Sequence, residues 1–146
     1  MPRPLTEQER DEFLRERHVS VLSVASEDAR PPLTVPVWYA YQDDGNLFFF
    51  TGTTGEPVRK TQLIQQAGVL SLVVQREELP YRYVAVECSL VRVDQPPSAE
   101  QMLRVVGRYL PAEQARGFVS DVLERATPHL VGFTLRPDRW NTLDFA

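Results

Sequence analysis

The chain has one cysteine, one lysine and two histidines in 146 residues, and each scarcity removes a class of function. A lone Cys88 cannot close an internal disulfide, which excludes a stapled secreted scaffold and fits a reducing compartment. It ends the alternation Tyr83-Val84-Ala85-Val86-Glu87-Cys88, the setting of a packed strand thiol rather than a nucleophile. His18 and His129 have no cysteine or carboxylate partners at metal-ligand spacing, so no metal site is expected. No apolar run approaches the ~20 residues of a membrane span, and the longest, Val69 to Val74, is strand-sized. The opening Met-Pro-Arg-Pro-Leu-Thr lacks the apolar core of a signal peptide, which predicts a cytoplasmic protein. A net charge of −4 gives no basic field for nucleic acid. Neither a Walker loop nor a dinucleotide-binding glycine fingerprint is present.

What is present describes one globular domain over residues 1–146, with 42% hydrophobic and 25% charged residues, long enough to bury a core unaided. Thr6 with Glu9 forms a capping box and predicts a short helix over Leu5 to Arg17. Val19 to Ala25 reads as a strand, with Val19, Val21 and to a degree Leu22 and Val24 supplying its apolar positions. A turn at Glu27 to Pro31 leads to a strand over Pro32 to Tyr41, in which Pro36 demands an edge or a bulge. Asp43-Asp44-Gly45-Asn46 is a hairpin turn, followed by a strand over Leu47 to Thr51. Val58 to Gln66 reads as a helix with Leu63 and Ile64 inward, stopped by Gly68. Val69 to Gln75 reads as a continuous apolar strand and Arg82 to Val93 as a long one. Ser98 with Gln101 caps a helix to Tyr109. A second helix, Pro111 to Arg125, has Phe118, Val122 and Leu123 on one face and is broken by Pro128. Closing strands, His129 to Arg136 and Trp140 to Phe145, flank a turn at Arg136-Pro137-Asp138. Consecutive strands with tight turns imply a mainly β, α+β protein built on an antiparallel barrel or sheet with helices outside.

Chemistry concentrates at Thr51-Gly52-Thr53-Thr54-Gly55 and the Arg59-Lys60 pair beyond it. The glycines permit close backbone approach, and the threonine hydroxyls can donate hydrogen bonds. A helix start adds free N–H groups, Arg59 a planar fork and Lys60 a point charge, a set suited to phosphate. The same residues also fit a polar loop with a solvated basic pair. Lys60 is the chain's only lysine, kept where all other basic residues are arginine. In Pro32-Leu33-Thr34-Val35-Pro36-Val37-Trp38-Tyr39, the proline frees backbone groups of Val35 and Val37 for a planar polar ligand, and Trp38 adds aromatic surface or core.

The run "PLTVPVWYAYQDDGNLFFFTGTTGEPVRKTQLIQQAGVLSLVV", followed by "YRYVAVECSLVRV", resembles the pyridoxamine-5′-phosphate-oxidase-like, split-barrel flavin-binding superfamily. The closing "LRPDRWNTLDF" is similar to that family's last hairpin. The resemblance implies a split antiparallel β-barrel, a homodimer, and FMN, or alternatively coenzyme F420, held between protomers. It implies that Arg59 and Lys60 bind the cofactor phosphate with Thr51, Thr53 and Thr54 nearby. Thr34, Val35, Pro36 and Val37 would line the tricyclic ring and Trp38 would flank it or the dimer seam. Gln75, Arg139 and Trp140 would reach the partner's cofactor. The implied activity is hydride transfer to or from a small organic molecule, with no side chain singled out as catalytic. The chain lacks the Arg-x-x-x-Leu-Lys segment of true pyridoxamine-phosphate oxidases, which argues against that substrate. The alternative on the same barrel is a flavin or haem carrier without turnover; a haem would need His18 or His129 as ligand.

Overall fold

A computed structural model describes residues 1–52, 57–126 and 129–146. The first helix, α1 (Glu7–Arg15), begins as its sequence requires: Thr6 accepts from the Glu9 amide, and the Glu9 carboxylate accepts from the Thr6 amide. Four strands and a second helix follow: β1 (Ser20–Val24), β2 (Leu33–Val37), β3 (Ala40–Tyr41), β4 (Leu47–Gly52) and α2 (Pro57–Ala67). Next come β5 (Val69–Arg76), β6 (Arg82–Asp94), α3 (Ala99–Val106), α4 (Ala112–Ala126) and β7 (Leu130–Asp144). Ser98 and Gln101 form the capping box of α3. Gly68, at φ +68°, turns the chain out of α2, and Gly45, at φ +87°, makes the β3–β4 hairpin.

The strands form one antiparallel sheet in the order β2-β1-β5-β6-β7-β4-β3. That order forces closure. β2 and β3 occupy opposite edges, yet only Trp38 and Tyr39 separate them in sequence. Three residue steps span at most about 11 Å, whereas six gaps in a flat sheet would span about 29 Å. The sheet therefore curls until its edges nearly meet, around a core of Leu22, Leu72, Val74, Val84, Val86 and Phe133. Phe13 and Leu14 of α1 and Leu63 and Ile64 of α2 complete this core. Helices α3 and α4 pack separately on the far side of β4 and β7, through Met102, Val106, Ala115, Val119 and Leu130.

Five sequence expectations require correction. The strand expected over Pro32 to Tyr41 is two strands, because the chain crosses between sheet edges at Trp38-Tyr39. There the Tyr39 side chain is buried and its hydroxyl donates to the Leu14 carbonyl at 2.8 Å. In β1 the inward set is Ser20, Leu22 and Val24, while Val19 is 49% exposed and Val21 faces outward. A buried serine is tolerated because its hydroxyl donates to the Val37 carbonyl at 2.9 Å. In β5 only Leu70, Leu72 and Val74 are buried, so its apolar run serves two faces. On α4 Ala115 and Val119 are buried, with Val122 and Leu123 partly buried against the same cluster as expected, but Phe118 is 41% exposed.

The expected closing hairpin is absent, and β7 runs unbroken through Pro137. Glu87 pairs with Arg139 and Cys88 with Pro137, leaving Asp138 unmatched in a bulge. Its carboxylate accepts from the Ser89 hydroxyl at 2.5 Å and from Arg136 Nε at 3.0 Å. Proline is accommodated at that irregularity, where the regular ladder is already interrupted.

Candidate cofactor site

Strand β4 delivers Thr51 and Gly52 to the end of the barrel where α2 starts. Thr53, Thr54, Gly55 and Glu56 lie outside the described residues. Helix α2 differs from the other three at its start. Its first turn has no carboxylate, whereas α1, α3 and α4 begin with Glu7 and Glu9, Glu100, and Glu113. An N-terminal turn carries partial positive charge that acidic side chains ordinarily offset. Here Arg59 and Lys60 add to it instead.

The two cations are not equivalent. Arg59 Nε donates to Glu27 Oε1 at 3.2 Å and its Nη2 donates to the Ser26 hydroxyl, so the guanidinium is tied to the β1–β2 loop. Its neighbour's carboxyl, that of Glu27, lies below the usual range because its own main-chain amide and Arg59 both donate to it. Lys60 is half-buried and makes no hydrogen bond or ion pair among the described residues. Burial alone pushes its ammonium below the ordinary lysine range.

The ring-lining candidates sit on the edge strand β2. Thr34 and Pro36 are exposed, Val35 is partly buried against the core and Val37 is buried. Pro36 thus occupies an edge, where a missing N–H breaks no interior ladder. Thr34 Oγ1 donates to the Pro32 carbonyl at 3.3 Å. Trp38, 37% exposed, stacks on Tyr109 with ring centres 4.6 Å apart and planes at 9°. Tyr109 is anchored in turn by its hydroxyl, which donates to the His18 carbonyl at 2.6 Å.

The remaining candidates separate. Gln75 is exposed on β5 and accepts from the Tyr81 hydroxyl at 2.8 Å. Arg139 is exposed on β7, at the end of a row of register neighbours Thr34-Ser23-Ser71-Glu87-Arg139 that crosses five strands. A groove of about 750 Å³ follows this outer face and is lined by Ser23, Ser71, Glu87 and Arg139 among others. Trp140 instead packs against the main core, with the Arg10 guanidinium 4.4 Å above its ring. Thus Thr51 stands at the end of β4 and Arg59 and Lys60 on the first turn of α2, while Thr34 and Arg139 lie on one outer row.

Sequence reasoning missed the residues that hold these groups: Ser26 and Glu27 under Arg59, and Tyr109 under Trp38. They lie 32 and 33 residues from Arg59 and 71 from Trp38, with no local motif linking them. Cys88 is buried, and burial pushes its thiol up to about 12. His18 stacks on Phe13 at 4.4 Å and contacts Glu16 at 3.1 Å.

Comparison with solved structures gives the same architecture. An F420 reductase superposes with a TM-score of 0.70 at 19% identity, covering 90% of this chain and 94% of that one. A conserved hypothetical protein from Mycobacterium tuberculosis superposes at 0.71 with 18% identity, covering 97% and 86%. A FAD-binding protein from Mesorhizobium loti superposes at 0.64 with 21% identity, covering 100% and 99%. At these identities the likeness establishes the split-barrel fold. No curated protein matches the sequence. The family model described as pyridoxamine 5′-phosphate oxidase matches residues 6–136, and the chain belongs to that family.

Proposed function

We propose that the chain is an oxidoreductase that binds a flavin-type cofactor at the β4–α2 junction, with FMN first and coenzyme F420 as the alternative. Membership of the family and the cofactors named for two structural neighbours support the class. The observation that carries the placement is Lys60: a half-buried cation, uncompensated among the described residues, on a helix whose first turn from Pro57 has no carboxylate. Such a group fits a cofactor phosphate, which would restore the charge balance that the fold leaves open. A bound flavin supplies the hydride acceptor or donor, and the protein positions and shields it. Lys60 and the Thr51 hydroxyl hold the phosphate end, and the β2 edge from Thr34 to Val37 borders the ring. Trp38, backed by Tyr109, bounds it on one side.

The active unit is a homodimer in this reading. The outer face of β2, β1, β5 and β6 carries an apolar row, Pro36-Val21-Val73-Ala85. Beside it, Val19 and Val69 are exposed, the latter at 56%. Glu87 and Arg139 are register neighbours on this face without an ion pair between them among the described residues. A two-fold axis would pair each with its counterpart across the interface. The substrate is a small organic molecule other than pyridoxamine phosphate.

Titration with FMN and with F420, followed by absorption and fluorescence, tests the proposal. Lys60→Ala is expected to weaken the preferred cofactor by about tenfold to a hundredfold, the equivalent of about 1.5–3 kcal/mol for a charge-assisted bond. Arg59→Ala, whose guanidinium is already engaged, is expected to weaken it less. Unchanged affinity in Lys60→Ala would refute the placement. Cofactor bound to a stable monomer in sedimentation would refute the dimer, and turnover of pyridoxamine phosphate the substrate reading.

A further inference from the structure

The β3–β4 hairpin precedes β4, so it lies about 20 Å along the strand from the α2 junction. Beside this hairpin a cavity of about 420 Å³ opens between α1 and α3, a volume within the range of small-ligand sites. Three guanidinium groups line it: Arg15 at the end of α1, and Arg104 and Arg108, one turn apart at and beyond the end of α3. The hairpin side contributes Tyr41, Gln42 and Asp43.

Arg108 is the fixed member. It donates to the main-chain carbonyls of Tyr39 at 2.8 Å, Leu14 at 2.9 Å and Glu16 at 2.6 Å, and its Cζ lies 4.4 Å from the centre of the Tyr39 ring. All three acceptors are neutral, and no carboxylate pairs with Arg108 among the described residues. Its Nε–H makes no hydrogen bond among the described residues. The ion-pair partners of the other two arginines are exposed, and Arg15 also lies 5.0 Å over the ring of partly buried Tyr41. Arg15 meets Asp43 at 3.4 Å, and Asp43 is fully exposed; Arg104 meets Glu100 at 2.8 Å with both ends largely in solvent. Of the other nearby carboxylates, Asp11 is taken by the Tyr41 hydroxyl at 2.6 Å and Glu16 meets His18 Nε2 at 3.1 Å. Exposed pairs contribute at most about 1 kcal/mol, so a competing anion displaces Asp43 and Glu100 at little cost.

From this arrangement we infer a second ligand site, apart from the flavin reading: the cavity binds a compact anion bearing two or more phosphate or carboxylate groups. Arg108 supplies a preset charge at the base, and Arg15 and Arg104 close on the ligand from opposite walls with the planar forks suited to such oxygens. The positive charge is local, since the whole chain carries −4.

Calorimetric titration of the full chain with inorganic pyrophosphate and, separately, with citrate at constant ionic strength tests it. Saturable binding of one anion per chain is expected, weakened at least tenfold in Arg15→Gln and in Arg104→Gln. Both positions are exposed, and circular dichroism checks that the variants fold. Arg125→Gln, which alters only an exposed pair with Asp121, should bind as the parent does. Pyrophosphate alone binding assigns a phosphate ligand, citrate alone a carboxylate ligand, and both together support the shared anion chemistry. Absence of saturable binding overturns the inference. So does binding that survives the Arg15→Gln/Arg104→Gln double variant, or binding abolished by Lys60→Ala, which would put the anion at α2.

Discussion

Gly132 is where the packing of the two-layer region is least forgiving. It pairs with Phe50 of β4 and with Asp94 of β6, so its backbone is held from both sides. A β-carbon added there would lie 2.7 Å from Phe48 Cζ, 2.8 Å from Cε2 and 3.1 Å from Pro97 Cβ. Carbon atoms rest at about 3.5–4.0 Å, so each contact is repulsive. The Phe48 ring has no free direction of escape, being buried with Ala40, Val105 and Tyr109. Gly132→Ala is therefore expected to destabilise by about 1–3 kcal/mol, the usual cost of overpacking. For a chain of this size that lowers the melting temperature by roughly 2–12 °C. Gly117, inside α4, is the counter-case, since nothing lies within 4 Å of its added carbon. Gly117→Ala should stabilise by about 0.5–1 kcal/mol through helix propensity. Thermal unfolding by circular dichroism reads both. Equal melting temperatures for Gly132→Ala and the parent would show that Phe48 and β7 yield together, and would refute the argument.

Two further outcomes follow from buried groups. Cys88 is buried and its thiol is pushed up to about 12, so an aromatic disulfide reagent at pH 8 should label none of the native protein and one equivalent after unfolding; rapid native labelling would contradict the packed strand. The Asp144 carboxyl, receiving Arg82 at 2.7 Å and the Ala146 amide at 3.0 Å, is held below the usual carboxylate range. A depressed folded value contributes stability that is complete above the unfolded value, near ~3.9, and is lost as the pH falls through the folded one. The melting-temperature gap between the parent and Asp144→Asn should thus be wide at pH 7 and narrow toward pH 3, and a gap independent of pH would count against the ion pair.

The parts of this fold that could be read from sequence are those whose cause is local. Thr6 with Glu9 and Ser98 with Gln101 satisfy helix-start amides within four residues, so both helices begin where their caps stand. Gly45 and Gly68 mark positive φ in the same way. Strand faces were less legible because β1 and β5 have valines on both sides: Val21 and Val73 face out while Leu22 and Leu72 face in. Alternation cannot choose between faces when the outer one is also apolar. The Arg136-Pro137-Asp138 run has turn chemistry, yet pairing with twelve of the thirteen residues of β6 keeps β7 unbroken and spends that chemistry on a bulge.

The candidate site shows the same division more sharply. Arg59 and Lys60 are adjacent cations at a helix start, and nothing in their neighbourhood of sequence distinguishes them. One residue on an α-helix is a rotation of about 100°. That rotation takes Arg59 to Ser26 and Glu27 of a distant loop and leaves Lys60 half-buried without a described partner. Composition could identify a basic pair, but only the curled sheet, by bringing the β1–β2 loop to α2, decides which of the two remains free to meet an anion. A strong, equal loss of cofactor affinity in Arg59→Ala and Lys60→Ala would mean that Glu27 releases its arginine on binding, and that the division seen in this structure does not govern the bound state.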